Sequence, residues 1–168
     1  IAHIGHASLE YVAVNRRRDG YRAALNAANL SYDKNLFVEG DFTYESGYRA
    51  MKHLLGSGAN PTALFAGNDT IAFGAMLAIR EAGLSIPEDV AVVGYDDLPA
   101  AAYACPPLTT VRTHAFEQGK LLAESAIALM AKEKIGSRQD VLPLELVVRK
   151  SCGAEMKMPN RSSPSEGS

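Results

Sequence analysis

The chain has 168 residues, of which 47% are hydrophobic, and its 17 basic and 19 acidic side chains give a net charge of −2. That is enough apolar material for one core of ordinary size, and the near-neutral charge gives no electrostatic basis for binding nucleic acid or an anionic membrane. Cys105 and Cys152 lack the spacing of a zinc site or a disulfide framework, so we expect reduced thiols and a cytoplasmic location. No apolar run approaches the ~20 residues of a membrane span, and Ile1 already lies in a strand pattern, so we expect a fragment whose upstream part is missing.

The hydrophobic periodicity of the first hundred residues predicts strands that alternate with helices. The strands are expected at 1–5, 35–39, 62–66 and 90–94, and the helices at 17–29, 44–55 and about 69–83, with Asn68 or Asp69 as a cap and Gly83 as the stop. Short loops between such elements are typical of right-handed crossovers. We therefore predict an α/β fold with a doubly wound parallel sheet that is covered on both faces.

The pattern changes after Asp97. A loop with Pro106 and Pro107 is followed by an extended segment at 108–112, a helix at about 116–132 and a strand at 141–148, which we interpret as late additions to the sheet unit. The tail at 153–168 has little apolar content and is expected to be disordered and without a function of its own.

Polar and aromatic residues follow each predicted strand. Parallel strands end at one edge of a sheet, where open α/β folds bind ligands, so these residues should converge there. The four strands lead in turn to the segment His6 to Glu10 with Arg17, to Asp41 and Phe42, to Asn68 and Asp69, and to Asp96 and Asp97. A cation, an aromatic face, an amide and carboxylates together suit a small polyhydroxylated or heterocyclic ligand.

Each of these residues also has a plainer interpretation. Asn68 and Asp69 are suited to capping a helix, the two aspartates to a turn after a strand, and Arg17 within R-R-R to a solvated basic face. Phe42 could staple the start of the next helix. It is the convergence of the strand ends that favours a ligand site.

Catalysis and metal binding find little support. The chain has no G-x-S-x-G elbow, no G-x-G-x-x-G fingerprint and no Walker A loop, so we expect neither a cofactor nor catalytic residues. His3 and His6 would lie on opposite faces of a strand, which argues against a metal site there. The same geometry places Asp96 and Asp97 on opposite faces, which disfavours a dyad that shares a proton.

Four blocks of the sequence are similar to the effector-binding domain of the lactose/galactose repressor family of bacterial transcription regulators. They are G-D-F-T-Y-E-S-G-Y-R-A-M at 40–51, A-L-F-A-G-N-D-T-I-A-F-G-A-M at 63–76, I-P-E-D-V-A-V-V-G-Y-D-D at 86–97 and P-P-L-T-T-V-R at 106–112. The blocks occur in the family's order, and the resemblance covers residues 1–152. It implies a periplasmic-binding-protein-like fold of two α/β subdomains with the effector in the cleft between them.

The resemblance also assigns roles to individual residues. Arg17, with Gly20 and Tyr21 after it, looks like the effector-contacting arginine of the family. By the same matching, Phe42 would stack on the effector, Asn68 would supply the amide and Asp96 the acidic acceptor. Tyr11 stands where purine-binding members carry an arginine, a departure that favours a sugar or related polyol over a nucleobase.

The resemblance divides the chain further. Residues 1–113 match the carboxyl-terminal effector-binding subdomain, 114–141 a helical segment of the otherwise missing amino-terminal subdomain, and 142–152 a strand that returns to the first. The helix–turn–helix that would bind operator DNA is absent. The apolar stripe of the 116–132 helix should then lack its usual sheet and be exposed, displaced or covered by a neighbour; its members are Leu122, Ala126, Leu129 and Met130.

The family's members are usually homodimers. The resemblance places the subunit contact on the helix with Phe73, Met76 and Leu77 and on the loop from Tyr103 to Cys105. Packing against the sheet explains some of the helix residues equally well.

Together these observations predict a ligand-responsive repressor fragment without catalytic activity, which binds a small effector and changes DNA binding by the missing domain. One alternative is a periplasmic sugar-binding protein of the same fold that serves an uptake transporter. Another is an α/β enzyme with Asp96 or Asp97 as its acid or base.

Overall fold

Four parallel strands form the centre of the fold in the computed structural model, which describes residues 1–6, 12–131 and 142–154. The strands are β1 (Ala2–His6), β2 (Phe37–Gly40), β3 (Ala63–Ala66), β4 (Ala91–Val93), β5 (Thr110–Arg112) and β6 (Glu145–Val147), and the helices are α1 (Val12–Ala27), α2 (Tyr44–Gly56), α3 (Asp69–Glu81) and α4 (Ala115–Met130). Short 3₁₀ turns occupy Lys34–Leu36, Pro99–Tyr103 and Lys150–Cys152. The predicted alternation of strands and helices is confirmed.

The strand order β2-β1-β3-β4 identifies where the sheet can bind a ligand. All three neighbouring pairs are parallel, and Ile4 in β1 lies opposite both Val38 of β2 and Ala66 of β3. The chain leaves β1 toward one side to reach β2 and then continues on the other side through β3 and β4. The connections therefore diverge between β1 and β3, and in open α/β sheets a crevice forms at the carboxyl ends of such strands.

Successive residues of β1 face opposite sides of the sheet. Ile4 lies in the main core with Met51 of α2 and Ile71 of α3, whereas the ring of His3 lies 5.2 Å from that of Tyr21 in α1. The sheet is thus covered on both faces, as the doubly wound prediction requires. Apolar side chains dominate the α2 and α3 side, and aromatic rings cover much of the α1 side.

Most predicted boundaries agree with the structure within about two residues, and two elements differ by more. Helix α1 begins at Val12 instead of residue 17, so Arg17 lies in its second turn. The strand expected at 141–148 is confined to Glu145–Val147, and it pairs with β5 in a separate antiparallel sheet. This small sheet is joined to the main one through parallel bridges from Val93 to Thr109 and from Asp96 to Arg112.

Helix α4 is exposed along its length, which is one of the outcomes predicted for its apolar stripe. None of its residues is buried, and Leu122, Leu129 and Met130 are 71%, 63% and 84% exposed. Among the described residues, no helix is long and apolar enough to cross a membrane. The expectations for Tyr11, for 132–141 and for the tail from 155 onward lie outside the residues that the structure describes.

Candidate functional site

Arg17 is held at the carboxyl edge of the sheet by two strand ends. Its Nη1 donates a hydrogen bond to the carbonyl oxygen of Gly67, after β3, at 2.6 Å. Its guanidinium carbon lies 3.9 Å from the ring centroid of Tyr95, after β4, in a cation–π contact. Arg17 therefore faces the crevice in a fixed position and is not the solvated basic residue of the plainer interpretation.

Phe42 lies at the same edge, after β2. Its backbone has a φ of 65°, and its ring stacks on His6 at a centroid distance of 4.3 Å. Phe42 and Arg17 line one small cavity together with Gly5 and Gly67. An aromatic face and a guanidinium thus share a recess at the switch point of the sheet, between the ends of β1 and β3.

Asn68 caps α3, and this position also brings its amide to the edge. Its side-chain oxygen accepts a hydrogen bond from the backbone N–H of Ile71 at 2.8 Å. The residue is 9% exposed and directly follows Gly67, whose carbonyl binds Arg17. The capping interpretation is confirmed, and it is compatible with a ligand contact because the cap uses only the amide oxygen.

Asp96 lies close enough to Arg17 for the two charges to interact. Burial raises the pKa of the Asp96 carboxyl above its ordinary 3.8, and the positive charge of Arg17 acts in the opposite direction. Asp96 has a φ of 109°, and its backbone N–H donates to the carbonyl of Val111 at 2.8 Å. The structure therefore brings all four predicted residues to one edge of the sheet, and we call Arg17, Phe42, Asn68 and Asp96 the edge site.

Two carboxylates expected at this edge serve the fold instead. Asp69 is completely buried; its two oxygens accept hydrogen bonds from the Thr110 hydroxyl at 2.6 Å and the Leu98 backbone N–H at 2.7 Å. Burial raises the pKa of Asp69, although these hydrogen bonds oppose the change. Asp69 joins α3 to the segments after β4, and it is too enclosed to reach a ligand.

Asp97 forms ion pairs with Arg112 and Arg149, both at 2.7 Å, and its side chain is 8% exposed. Burial acts to raise the pKa of Asp97, but the hydrogen bonds from Arg149 and Arg112 outweigh it and hold the pKa below its ordinary value. With both oxygens bound to arginines, Asp97 is poorly placed as an acid or base. Its arginine partners lie 15 and 52 residues away in the sequence, so no local pattern identifies them.

His3 also lies next to the edge site, although no pattern in the sequence indicates this position. Its side chain is 2% exposed, and it borders the cavity that Arg17 and Phe42 line. Within the described ranges, no group of three or more histidine, cysteine, aspartate or glutamate residues could hold a metal ion.

The predicted subunit contact is partly corrected by the structure. Met76 is 2% exposed and belongs to the main core, because its position on α3 faces the sheet, so its side chain cannot reach a partner. Leu77 and Tyr103 are 44% and 89% exposed, Cys105 is exposed, and Phe73 is half-buried against Tyr44.

Residues 1–152 match a family described as the periplasmic binding protein-like domain. The HTH-type transcriptional regulator CelR of Thermobifida fusca is 40% identical over 142 residues, which cover 84% of this chain and 42% of the relative. The ribose operon repressor of Escherichia coli K12 is 40% identical over 71% of this chain and 36% of the relative, and the repressor PurR of Haemophilus influenzae PittEE is 36% identical over 85% and 44%.

Solved structures that are similar to this chain also come from transcription regulators. A complex of the regulator CelR with cellobiose superposes with a TM-score of 0.84 at 39% identity and covers 89% of this chain and 46% of that one. A lac repressor dimer bound to operator and the anti-inducer ONPF gives a TM-score of 0.81 at 32% identity, with 89% and 51% covered.

The fold and the edge site define a domain of the periplasmic-binding-protein type. The chain belongs to the periplasmic binding protein-like family, and the relatives named above are transcription regulators. It spans less than half the length of the curated relatives named above.

Proposed function

We propose that this chain is the carboxyl-terminal, effector-binding part of a ligand-responsive transcriptional repressor, and that the edge site binds a small sugar. The observation that carries the proposal is Arg17, which Gly67 and Tyr95 hold in place and whose charge interacts with that of Asp96. Because Arg17 is already held in place, its side chain loses little conformational entropy when a ligand binds. A donor near an acceptor also suits the vicinal hydroxyls of a sugar.

Each residue of the edge site has a role in this proposal. Arg17 donates hydrogen bonds to sugar oxygens, and Asp96 accepts hydrogen bonds from sugar hydroxyls. Phe42 covers an apolar face of the sugar ring, and the amide nitrogen of Asn68 donates from the start of α3. CelR is described in complex with cellobiose, so cellobiose is a rational first candidate for this chain, with ribose as a second.

In the full-length protein, an amino-terminal subdomain would close the other side of the site and cover the exposed apolar stripe of α4. Residues 114–141 would belong to that subdomain, and a helix–turn–helix would bind operator DNA. The effector would favour one arrangement of the subdomains through its different affinity for each, and so change DNA binding. Such a protein acts in the cytoplasm and needs no catalytic residue.

A homodimer is part of the proposal. The exposed residues Leu77, Tyr103 and Cys105, together with half-buried Phe73, form a surface that we call the α3 face. Arg80 connects its two parts, because its Nη1 donates to the carbonyl oxygen of Cys105 at 3.2 Å. A groove of about 560 Å³ between α2 and α3 continues this apolar surface. Burial of the surface and groove against a second copy of the chain would remove apolar area from water and so favour the dimer.

The two alternatives have less support. The relatives with 36–40% identity named above are transcription regulators, which weighs against a periplasmic sugar-binding protein. The two arginine partners of Asp97 argue against an enzyme that uses Asp97 as its acid or base. If Asp96 were the acid or base of an enzyme, the protein would turn over a bound sugar and Asp96→Asn would abolish that turnover.

The proposal is tested by thermal shift of the full-length protein with cellobiose, ribose, other sugars and nucleobases. Arg17→Ala and Asp96→Ala should abolish the shift that a bound sugar produces, because each removes a charged hydrogen-bonding group from the site. The unliganded Tm should change little. Arg16→Ala is the matched control, since Arg16 is the exposed neighbour on α1. A full response in Arg17→Ala would contradict the proposed site.

A further inference from the structure

Aromatic neighbours fix the imidazole of His3 in one orientation. Its ring stacks on Phe65 at a centroid distance of 4.8 Å and an interplanar angle of 11°. The rings of Tyr21 and Phe37 lie 5.2 and 5.5 Å away on other sides. With 2% of the residue exposed, the ring has little room to turn.

One hydrogen bond defines the tautomer of this ring. Nδ1 of His3 lies 2.9 Å from the carbonyl oxygen of Phe65. A carbonyl oxygen only accepts hydrogen bonds, so Nδ1 carries the proton and, in a neutral imidazole, Nε2 carries a lone pair. Burial lowers the pKa of His3 below its ordinary 6.5, the bond to Phe65 opposes this, and the charges of Arg18 and Arg17 add to the lowering.

The bare nitrogen points toward the edge site. Nε2 passes over Gly5, where an added Cβ would lie 2.9 Å from it. Beyond it lies a cavity of about 10 Å³ that His3 and Gly5 line together with Arg17, Phe42 and Gly67, which is room for one water-sized group. Among the described residues, the hydrogen bond of His3 is the one from Nδ1 to the carbonyl oxygen of Phe65, and it leaves the lone pair of Nε2 available.

We propose that Nε2 of His3 is a further specificity-determining contact of the edge site, where it accepts a hydrogen bond from one hydroxyl group of a bound sugar. The inference rests on the proposed function and names the chemistry of one part of the ligand. Arg17 only donates hydrogen bonds and Nε2 only accepts them. A hydroxyl does both, whereas a carboxylate or phosphate oxygen without a proton leaves Nε2 unpaired.

The test is calorimetric titration of the full-length protein with cellobiose and with ribose, using variants that separate the two nitrogens of His3. In His3→Asn the side-chain amide still reaches the carbonyl of Phe65 but has no atom at the position of Nε2. His3→Gln places a polar atom near the position of Nε2. His53→Asn, a change at an exposed histidine on α2, is the matched control.

We expect His3→Asn to weaken binding of the sugar about tenfold, His3→Gln to recover part of that loss and His53→Asn to leave it unchanged. The same titration with an analogue that lacks the contacting hydroxyl should show no difference between the parent and His3→Asn. Nitrogen NMR of histidine-labelled protein gives a second readout, and we expect a protonated Nδ1 and a bare Nε2 in the unliganded parent.

Two results would overturn the inference alone: parent and His3→Asn bind the sugar equally well, or the spectra show the proton on Nε2. Failure of every sugar to bind the parent would overturn the proposed sugar site and this inference together. Misfolding of His3→Asn would be evident from its Tm, and in that case the tautomer and the response of the Nε2 signal to sugar decide the question in the parent protein.

Discussion

Asp96 and Asp97 are adjacent in the sequence, yet their carboxylates lie in different environments. Both have positive φ, at 109° and 55°, because the chain leaves the strand geometry after β4. This turn directs Asp96 toward Arg17 and Asp97 toward Arg112 and Arg149. The first carboxylate therefore lies at the edge site, whereas the second joins β5 to the segment that follows β6.

Asp97→Asn should destabilise the fold by about 2 kcal/mol, because an amide replaces a carboxylate that accepts charge-assisted hydrogen bonds from two arginines. The free energy of unfolding in urea measures this effect. Glu145→Gln is the matched control: its carboxylate also pairs with Arg112, at 2.9 Å, but is 52% exposed, so the loss should stay below about 1 kcal/mol. Equal losses in the two variants would contradict the role of Asp97.

The same ion pairs predict a pH dependence. The pKa of Asp97 is lower in the folded chain than its ordinary 3.8, so on acidification the unfolded state binds the proton first. The contribution of Asp97 is complete above about pH 3.8 and is lost as the pH falls through the folded pKa. Below pH 4, the unfolding free energy should therefore fall less steeply in Asp97→Asn than in the parent.

Residues at strand ends were predictable and their tertiary partners were not. Arg17, Asn68 and Asp96 follow from the rule that parallel strands end at one edge, and the structure places them there. The burial of Asp69 depends on Thr110, which is 41 residues away, so the sequence around Asp69 predicts only the start of a helix. His3 was not predictable for the same reason, because one histidine in an apolar strand does not indicate that its ring will contact Phe65 and Gly5.

Helices α2 and α3 approach each other closely because each has a glycine at the contact. A Cβ on Gly74 would overlap the carbonyl oxygen of Tyr44, and one on Gly47 would overlap that of Ile71. The sequence shows both glycines within helices but not what lies against them. This close packing sets the distance between α2, which follows β2, and α3, which Asn68 caps.

Gly74→Ala should therefore destabilise the protein by at least about 2 kcal/mol, although alanine is the better helix former. The clash is with backbone, which cannot move aside as a flexible side chain can. Gly20→Ala on α1 is the matched control; nothing lies within 4 Å of its added Cβ, so we expect no loss or a gain of up to about 1 kcal/mol. Thermal unfolding measures both, and a neutral Gly74→Ala would show that the two helices separate easily.

At the scale of the whole molecule, two of the helices that the structure describes have exposed apolar surfaces that matter for assembly. The stripe of α4 lies away from the sheet, and the α3 face lies beside the groove between α2 and α3. Composition and periodicity predicted that both helices have apolar faces, but periodicity alone could not separate Met76, which is buried, from Leu77, which is 44% exposed. The two residues are neighbours, and only the packing of α3 on the sheet distinguishes them.

This distinction gives a sharp test of the proposed dimer. Leu77→Glu should weaken self-association of the full-length protein at least tenfold, because a charge buried in an apolar contact loses its hydration. Sedimentation equilibrium measures the change. Leu30→Glu is the matched control, since Leu30 is 47% exposed but follows α1, on the other face of the sheet. If Leu77→Glu and Tyr103→Glu both remain as dimeric as the parent and Leu30→Glu alone dissociates, the subunits meet through the α1 side, and the α3 face has another partner.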